Sequence, residues 1–323
     1  MPAPHMIRYR SRLPQLDGRF ITDGGLETTL VYHEGIELPF FAAFVLLDRP
    51  EGEATLARYF ARYAEIAGGN GVGVVLESAT WRANPDWAAK LGYDDEALAA
   101  IHRKAIAQLA GIRSKHETPG TPIVLSGNLG PRGDGYSVGG TSMSAAEAAD
   151  YHGPQIRTFA ATEADMVAAF TMTYAEEAIG IARAAQASGM PAVISFTVET
   201  DGSLPSGETL RDAIERTDAA TGGYPAYYMI NCAHPSHFRD ALAKGGAWRG
   251  RIRGVRANAS KRSHAELDAS SDLDAGDPVE LGNDYRALLP LLPRLCVVGG
   301  CCGTDHRHVE AVCRATRAPA PGA

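Results

Sequence analysis

Eight short apolar runs, each followed by a polar loop and a longer, mostly alanine-rich stretch of helical periodicity, constrain the fold of this chain more than any other feature. The runs cover 19–23, 73–78, 123–127, 166–170, 192–197, 227–231, 252–257 and 295–299. The helical stretches after them cover 54–67, 96–114, 145–161, 175–187, 207–219, 235–244, 279–292 and 306–313. Strands that alternate with helices pair in parallel through right-handed crossovers, because each helix must pack back on the sheet it left. Eight such units close into a (β/α)₈ barrel; an open doubly wound sheet is the alternative. No Gly/Ser- or Pro-rich linker divides the middle, so one domain is expected over 17–316, with a partly mobile extension at 1–16 and a mobile tail at 317–323.

A barrel carries its chemistry at the C-terminal ends of its strands. The residues standing there are Asp23, Glu77, Ser78, Asn128, Phe170, Thr171, Thr197, Glu199, Asn231, Cys232, Asn258, Cys301 and Cys302. Cys301 and Cys302 are adjacent and flanked by glycines, so the backbone there can turn tightly and aim both sulfurs at one point. Adjacent cysteines pair poorly with each other, since a disulfide wants its Cα atoms further apart than one peptide unit gives. Five cysteines, an odd number, in a chain of 323 residues do not suggest a disulfide framework. Three thiolates, with Cys232 as the third, instead suggest a reactive zinc site whose fourth position stays open. Cys296, inside a strand, and Cys313, on a helix, are expected to be packed as small hydrophobes. His306 and His308 fall in the first turn of the last helix and are expected to be solvated or capping; His234 is a candidate to support the Cys232 loop.

A net charge of −7 gives no support for a nucleic-acid or membrane partner. No apolar run approaches the ~20 residues of a spanning helix. The N-terminal residues lack the apolar core of a signal peptide, so a cytoplasmic location is expected, with homo-oligomerisation left open. The acidic stretch 261–283 follows the seventh strand on the catalytic side and is a candidate lid.

The segment Asp23-Gly24-Gly25-Leu26-Glu27-Thr28, the pair Asn231-Cys232 with His234-Pro235 after it, and Gly299-Gly300-Cys301-Cys302-Gly303-Thr304 resemble the zinc-dependent homocysteine S-methyltransferases. Thr80-Trp81-Arg82-Ala83-Asn84-Pro85 and Gly127-Asn128-Leu129-Gly130-Pro131 are similar too, and the likeness runs from about Phe20 to Cys313. It implies a (β/α)₈ barrel, Zn²⁺ held by Cys232, Cys301 and Cys302, and a substrate held by Asp23, Gly24 and Gly25, with Asn231 bracing the metal loop. No catalytic residue beyond the metal site is implied. The family often carries a Glu at the end of the fourth strand, where this chain has Phe170. Either Glu77 or Glu199 then takes over its task, with Asn258 as a further substrate contact, or the thiol acceptor differs from homocysteine. Phe170, Trp81 and Tyr136 become candidate walls for a cationic methyl donor. The implied activity is methyl transfer to a small thiol, homocysteine foremost, yielding methionine. A small sulfonium such as S-methylmethionine or S-adenosylmethionine is favoured as donor over betaine. The competing alternatives are a metal-dependent barrel hydrolase and a non-catalytic zinc- or thiol-binding relative.

Overall fold

The computed structural model describes residues 7–317 as a closed barrel of eight parallel strands in sequence order. The strands are β1 (Phe20–Ile21), β2 (Gly73–Glu77), β3 (Ile123–Leu129), β4 (Met166–Met172), β5 (Ala192–Phe196), β6 (Tyr227–Asn231), β7 (Ile252–Ala257) and β8 (Val297–Gly300). β8 closes on β1 through the register Phe20↔Val297 and Ile21↔Val298. The main outer helices are Pro50–Asn70, Asp95–His116, Ala145–Ala160, Ala175–Ala187, Leu210–Thr221, Pro235–Ala243, Pro278–Leu288 and His306–Ala315. Local chemistry fixes several of their starts. Ser144 caps Ala145–Ala160 in a box with Glu147, and Asp305 caps the last helix. The open-sheet alternative is excluded by closure.

Side chains that alternate along each strand divide the core in two. One set, including Ile21, Val74, Leu76, Ile194 and Val255, packs outward against the helices. The other points inside and forms a second cluster of Phe20, Val75, Val124, Met166, Ala168, Phe170, Val193, Tyr227, Met229 and Val297. The inner positions change character along the strands: Val75 gives way to Glu77, Met229 to Asn231 and Gly254 to Arg256. The N-terminal half of the barrel is thus a plug of side chains, and the C-terminal half a polar cup.

Part of the N-terminal stretch expected to be mobile is built into that plug. Leu13 and Gln15 are buried, and Gln15 Nε2 reaches the Tyr227 hydroxyl at 3.4 Å. The backbone N–H of Tyr9 donates to Asp165, which also accepts from Arg113. Residues 1–6 and 318–323, the outer parts of the two expected ends, lie outside the described residues. No helix among the described residues is long and apolar enough to cross a membrane.

Candidate metal and substrate site

A cavity of about 360 Å³ opens above the plug, lined by the strand ends and the loops that follow them. Cys232, Cys301 and Cys302 all face it, their sulfurs lying within 4.8 Å of one another. A tetrahedral zinc with Zn–S bonds of ~2.3 Å separates its sulfurs by about 3.8 Å, so a trio gathered this closely can hold one when all three are free thiolates. No other cluster of His, Cys, Asp or Glu among the described residues has ligand-competent geometry.

The three sulfurs meet because the backbone is forced there. Cys232 has φ 54° and Thr171 φ 63°, a conformation that non-glycine residues adopt at a cost of order 1–3 kcal/mol each. Hydrogen bonds hold both in place. The Cys232 N–H donates to the Arg256 carbonyl at 3.1 Å, while the Cys232 carbonyl accepts from Asn258 Nδ2 at 3.0 Å. Asn231 Oδ1 accepts from the Thr171 N–H at 2.9 Å and from the Ser195 hydroxyl at 2.6 Å. Its Nδ2 donates to Thr171 Oγ1 at 3.0 Å and lies 4.0 Å from Cys301 Sγ. Asn231 therefore ties the ends of β4, β5 and β6 beneath the sulfurs. On the other side, a Cβ on Gly25 would stand 2.6 Å from the Cys301 carbonyl oxygen, so only glycine lets the first loop approach the cysteine turn.

One feature departs from the sequence expectation. Cys232 and Cys301, expected as free thiols, are joined as a disulfide with Cα atoms 5.4 Å apart, and Cys302 is free. The geometry that converges three sulfurs also puts two of them within bonding reach, and two-electron reduction releases both as ligands. Burial pushes the Cys302 thiol up, so a nearby cation is what would favour its thiolate. The Tyr136 hydroxyl lies 3.5 Å from Cys302 Sγ.

The other residues singled out in the sequence are distributed as follows. Asp23, Gly24, Gly25, Glu77, Asn231, Phe170, Trp81 and Tyr136 line the cavity. Asn258 stands behind Cys232, and its Oδ1 is buried without a partner. Each candidate aromatic wall already has a neighbour: the Arg256 guanidinium lies 4.9 Å from the Phe170 ring, Arg82 4.3 Å from Trp81, and His264 stacks on Tyr136 at 4.1 Å. His234 contacts Ser236 and Asp284 and does not line the cavity. His308 is buried, with its Nε2 2.7 Å from the Ala275 carbonyl.

Two residues carry more of the site than the sequence suggested. Arg256 is buried and ion-paired with Asp23 at 2.8 Å, while Nε donates to the Gly300 carbonyl and Nη2 to that of Gly24. The signal was there: an arginine inside an apolar strand must find a partner. His264 opens the short helix His264–Asp268 inside the acidic stretch, with Nε2 2.7 Å from the Cys232 carbonyl and Nδ1 3.3 Å from Glu199. The stretch leans over the cavity and contributes Leu267, Asp268, Asp272, Leu273 and Asp274 to its wall.

Glu77 is only 2% exposed, and its Oε2 has no hydrogen-bond partner. Burial pushes its carboxyl up to about 7, against a smaller opposing pull from Arg256. A carboxyl raised in the folded state contributes stability that is complete below the unfolded value of 4.5 and is lost as pH rises through about 7. The metal-free, reduced protein is therefore expected to lose unfolding free energy between about pH 4.5 and about pH 7, and Glu77→Gln to reduce that loss, with Glu27, which burial also pushes up to about 7, supplying the remainder. Urea titrations at both pH values check it; a variant with the wild-type slope refutes the assignment.

A family model described as homocysteine S-methyltransferase matches residues 20–316. Among solved structures, the homocysteine methyltransferase MmuM from Escherichia coli in its oxidized form is 21% identical, with a TM-score of 0.71 over 91% of this chain and 94% of that one. The metallated form of MmuM is 20% identical, with a TM-score of 0.70 over 95% of this chain and 100% of that one. At such identity the likeness to these structures establishes the shared fold. No curated protein matches the sequence.

Proposed function

This chain belongs to the homocysteine S-methyltransferase family and is a methyltransferase; from that premise we propose that it is a zinc-dependent enzyme moving a methyl group from a small sulfonium to the thiol of homocysteine, giving methionine. The observation that carries the proposal is the convergence of Cys232, Cys301 and Cys302 on one wall of the cavity. Zinc held by those sulfurs would keep the acceptor sulfur as thiolate at neutral pH, while the electron-rich ligand set preserves its nucleophilicity. In the transfer, an acceptor sulfur lone pair forms the bond to the methyl carbon as the donor C–S⁺ bond breaks. The bonding pair stays on the departing neutral sulfide, and the thiol proton has left beforehand.

The protein's part is to position the two substrates in line and keep water away. In this reading the acceptor head sits beside Asp23, Gly24, Gly25 and Glu77, and the donor enters at the loop-lined mouth, where the lining includes four carboxylates, Asp134, Asp268, Asp272 and Asp274, against one guanidinium, Arg82. These carboxylates favour a cationic donor, and Trp81 and Tyr136 supply apolar surface beside it. A sulfonium fits that mouth as a compact cation. The hydrolase alternative lacks its ligands, since the converging trio contains neither histidine nor carboxylate.

Reduced, zinc-loaded protein incubated with each of S-methylmethionine, S-adenosylmethionine and betaine, against homocysteine and other thiols, is expected to give methionine with a sulfonium donor. Mass spectrometry identifies the products. Methionine formed from betaine alone would overturn the donor assignment, and no thiol methylation with any donor would overturn the function.

A further inference from the structure

Several polar atoms of the cavity lining are left over once the protein's own hydrogen bonds are assigned, neutral ones such as Asn128 Oδ1 and Trp81 Nε1 among them, and two of them at the strand ends belong to groups of opposite charge. The first is Glu77 Oε2, buried and unpartnered on a side chain that lines the cavity. The second is Nη1 of Arg256: Nε is taken by the Gly300 carbonyl and Nη2 by Gly24 and Asp23, whereas Nη1 makes no hydrogen bond among the described residues. Arg256 also lines the cavity, and its charge is felt by both Glu77 and the Cys302 thiol. A guanidinium and a carboxyl with one free arm each, at the ends of β7 and β2 in the cup that also holds the sulfurs, are complementary to a molecule bearing both a carboxylate and an ammonium. Asp23 is less available for this task. One oxygen faces Arg256 and the other accepts from the Tyr59 hydroxyl at 3.1 Å.

We propose that Arg256 and Glu77 together read the zwitterionic head of the acceptor, Arg256 taking its carboxylate through Nη1 and Glu77 its ammonium through Oε2, while Asp23 holds Arg256 in place. Phe170 has a role in this arrangement: its ring supports the guanidinium from one side, so the residue at the end of β4 serves the acceptor head indirectly. Moving the carboxylate to β2 and adding a guanidinium on β7 gives the head group two directional contacts. An acceptor lacking either charge strands a buried partner, which makes the pair a specificity device as well as an anchor. The clamp rests on the proposed amino-acid thiol acceptor, and its test separates the two.

The test is calorimetric binding to the reduced full-length chain, using three stable ligands related to the product. L-Methionine carries both charges, 3-(methylthio)propylamine lacks the carboxylate, and 4-(methylthio)butanoate lacks the ammonium. Asp23→Asn/Arg256→Gln, a double variant that keeps the floor charge-balanced, is expected to weaken methionine and the butanoate by about 10- to 100-fold and to leave the amine little changed. Glu77→Gln, which is isosteric, is expected to show the opposite pattern, weakening methionine and the amine but sparing the butanoate. Equal losses for amine and butanoate in either variant, or no loss in either, would overturn the clamp while the function stands. Wild-type protein that binds none of the three while still methylating another class of thiol would overturn the homocysteine acceptor, and the clamp with it.

Discussion

Replacing Cys301 by serine is expected to strip the protein of zinc and remove nearly all methyl transfer while leaving the barrel folded. Serine matches cysteine closely in size, so little repacking is asked of the turn between β8 and the last helix. Its hydroxyl, however, does not ionise at neutral pH and is a hard donor where the other two are soft. Loss of an outer hydrogen-bond partner of a metal ligand already costs about 10- to 100-fold in affinity, and loss of the ligand itself costs more. Cys296→Ser is the matched control: Cys296 Sγ lies 3.6 Å from the Arg253 carbonyl in the N-terminal half of the barrel, remote from the cup. Both proteins are prepared under reductant, because the Cys232–Cys301 bond must be open before either sulfur can bind metal. Elemental analysis, far-ultraviolet circular dichroism and the turnover assay give the readouts. A Cys301→Ser protein that keeps a full equivalent of zinc and wild-type turnover would remove Cys301 from the ligand set.

The fold was legible because its signals are local and repeated. Each apolar run and each helical stretch is recognisable within about a dozen residues, and the predicted strands 227–231 and 252–257 coincide with β6 and β7. The cysteines stood out for a similar reason, since flanking glycines and strand-end positions are visible in the linear order. What escaped depends on closure. Arg256 finds Gly24 across 232 residues of sequence, because β7 and β1 both flank β8 in the closed ring. Nothing near Arg256 announces Asp23 as its partner. His264 is hidden in a different way: it sits in an acidic stretch whose composition reads as solvated loop, yet it bonds the Cys232 carbonyl. Asn258 shows the converse, a strand-end polar residue whose amide braces the backbone of Cys232.

Removing the Asp23 carboxylate, as in Asp23→Ala, is expected to cost about 3–5 kcal/mol of unfolding free energy, because it leaves a guanidinium buried without its counter-ion. Arg256 is only 7% exposed, and water entering from the cavity brings no counter-charge to replace the lost carboxylate. The carbonyls of Gly24 and Gly300 remain as acceptors, but they carry no net charge to balance the cation. Tyr59, whose hydroxyl donates to Asp23, loses its partner at the same time. The double variant Asp23→Ala/Arg256→Met separates the charge from the cavity. Removing both ions eliminates the unpaired cation, and an apolar side chain of similar length keeps contact with Phe170, so much of the lost stability is expected to return. Acceptor affinity is not expected to return with it, since the guanidinium that would hold the carboxylate is gone. Guanidinium chloride titrations of the three proteins, paired with methionine binding, measure both effects. A single variant within about 1 kcal/mol of wild type would mean that the Asp23–Arg256 pair contributes no more than an exposed ion pair. In that event Asp23 would be free to contact the acceptor directly, and the burial of Arg256 would need another explanation.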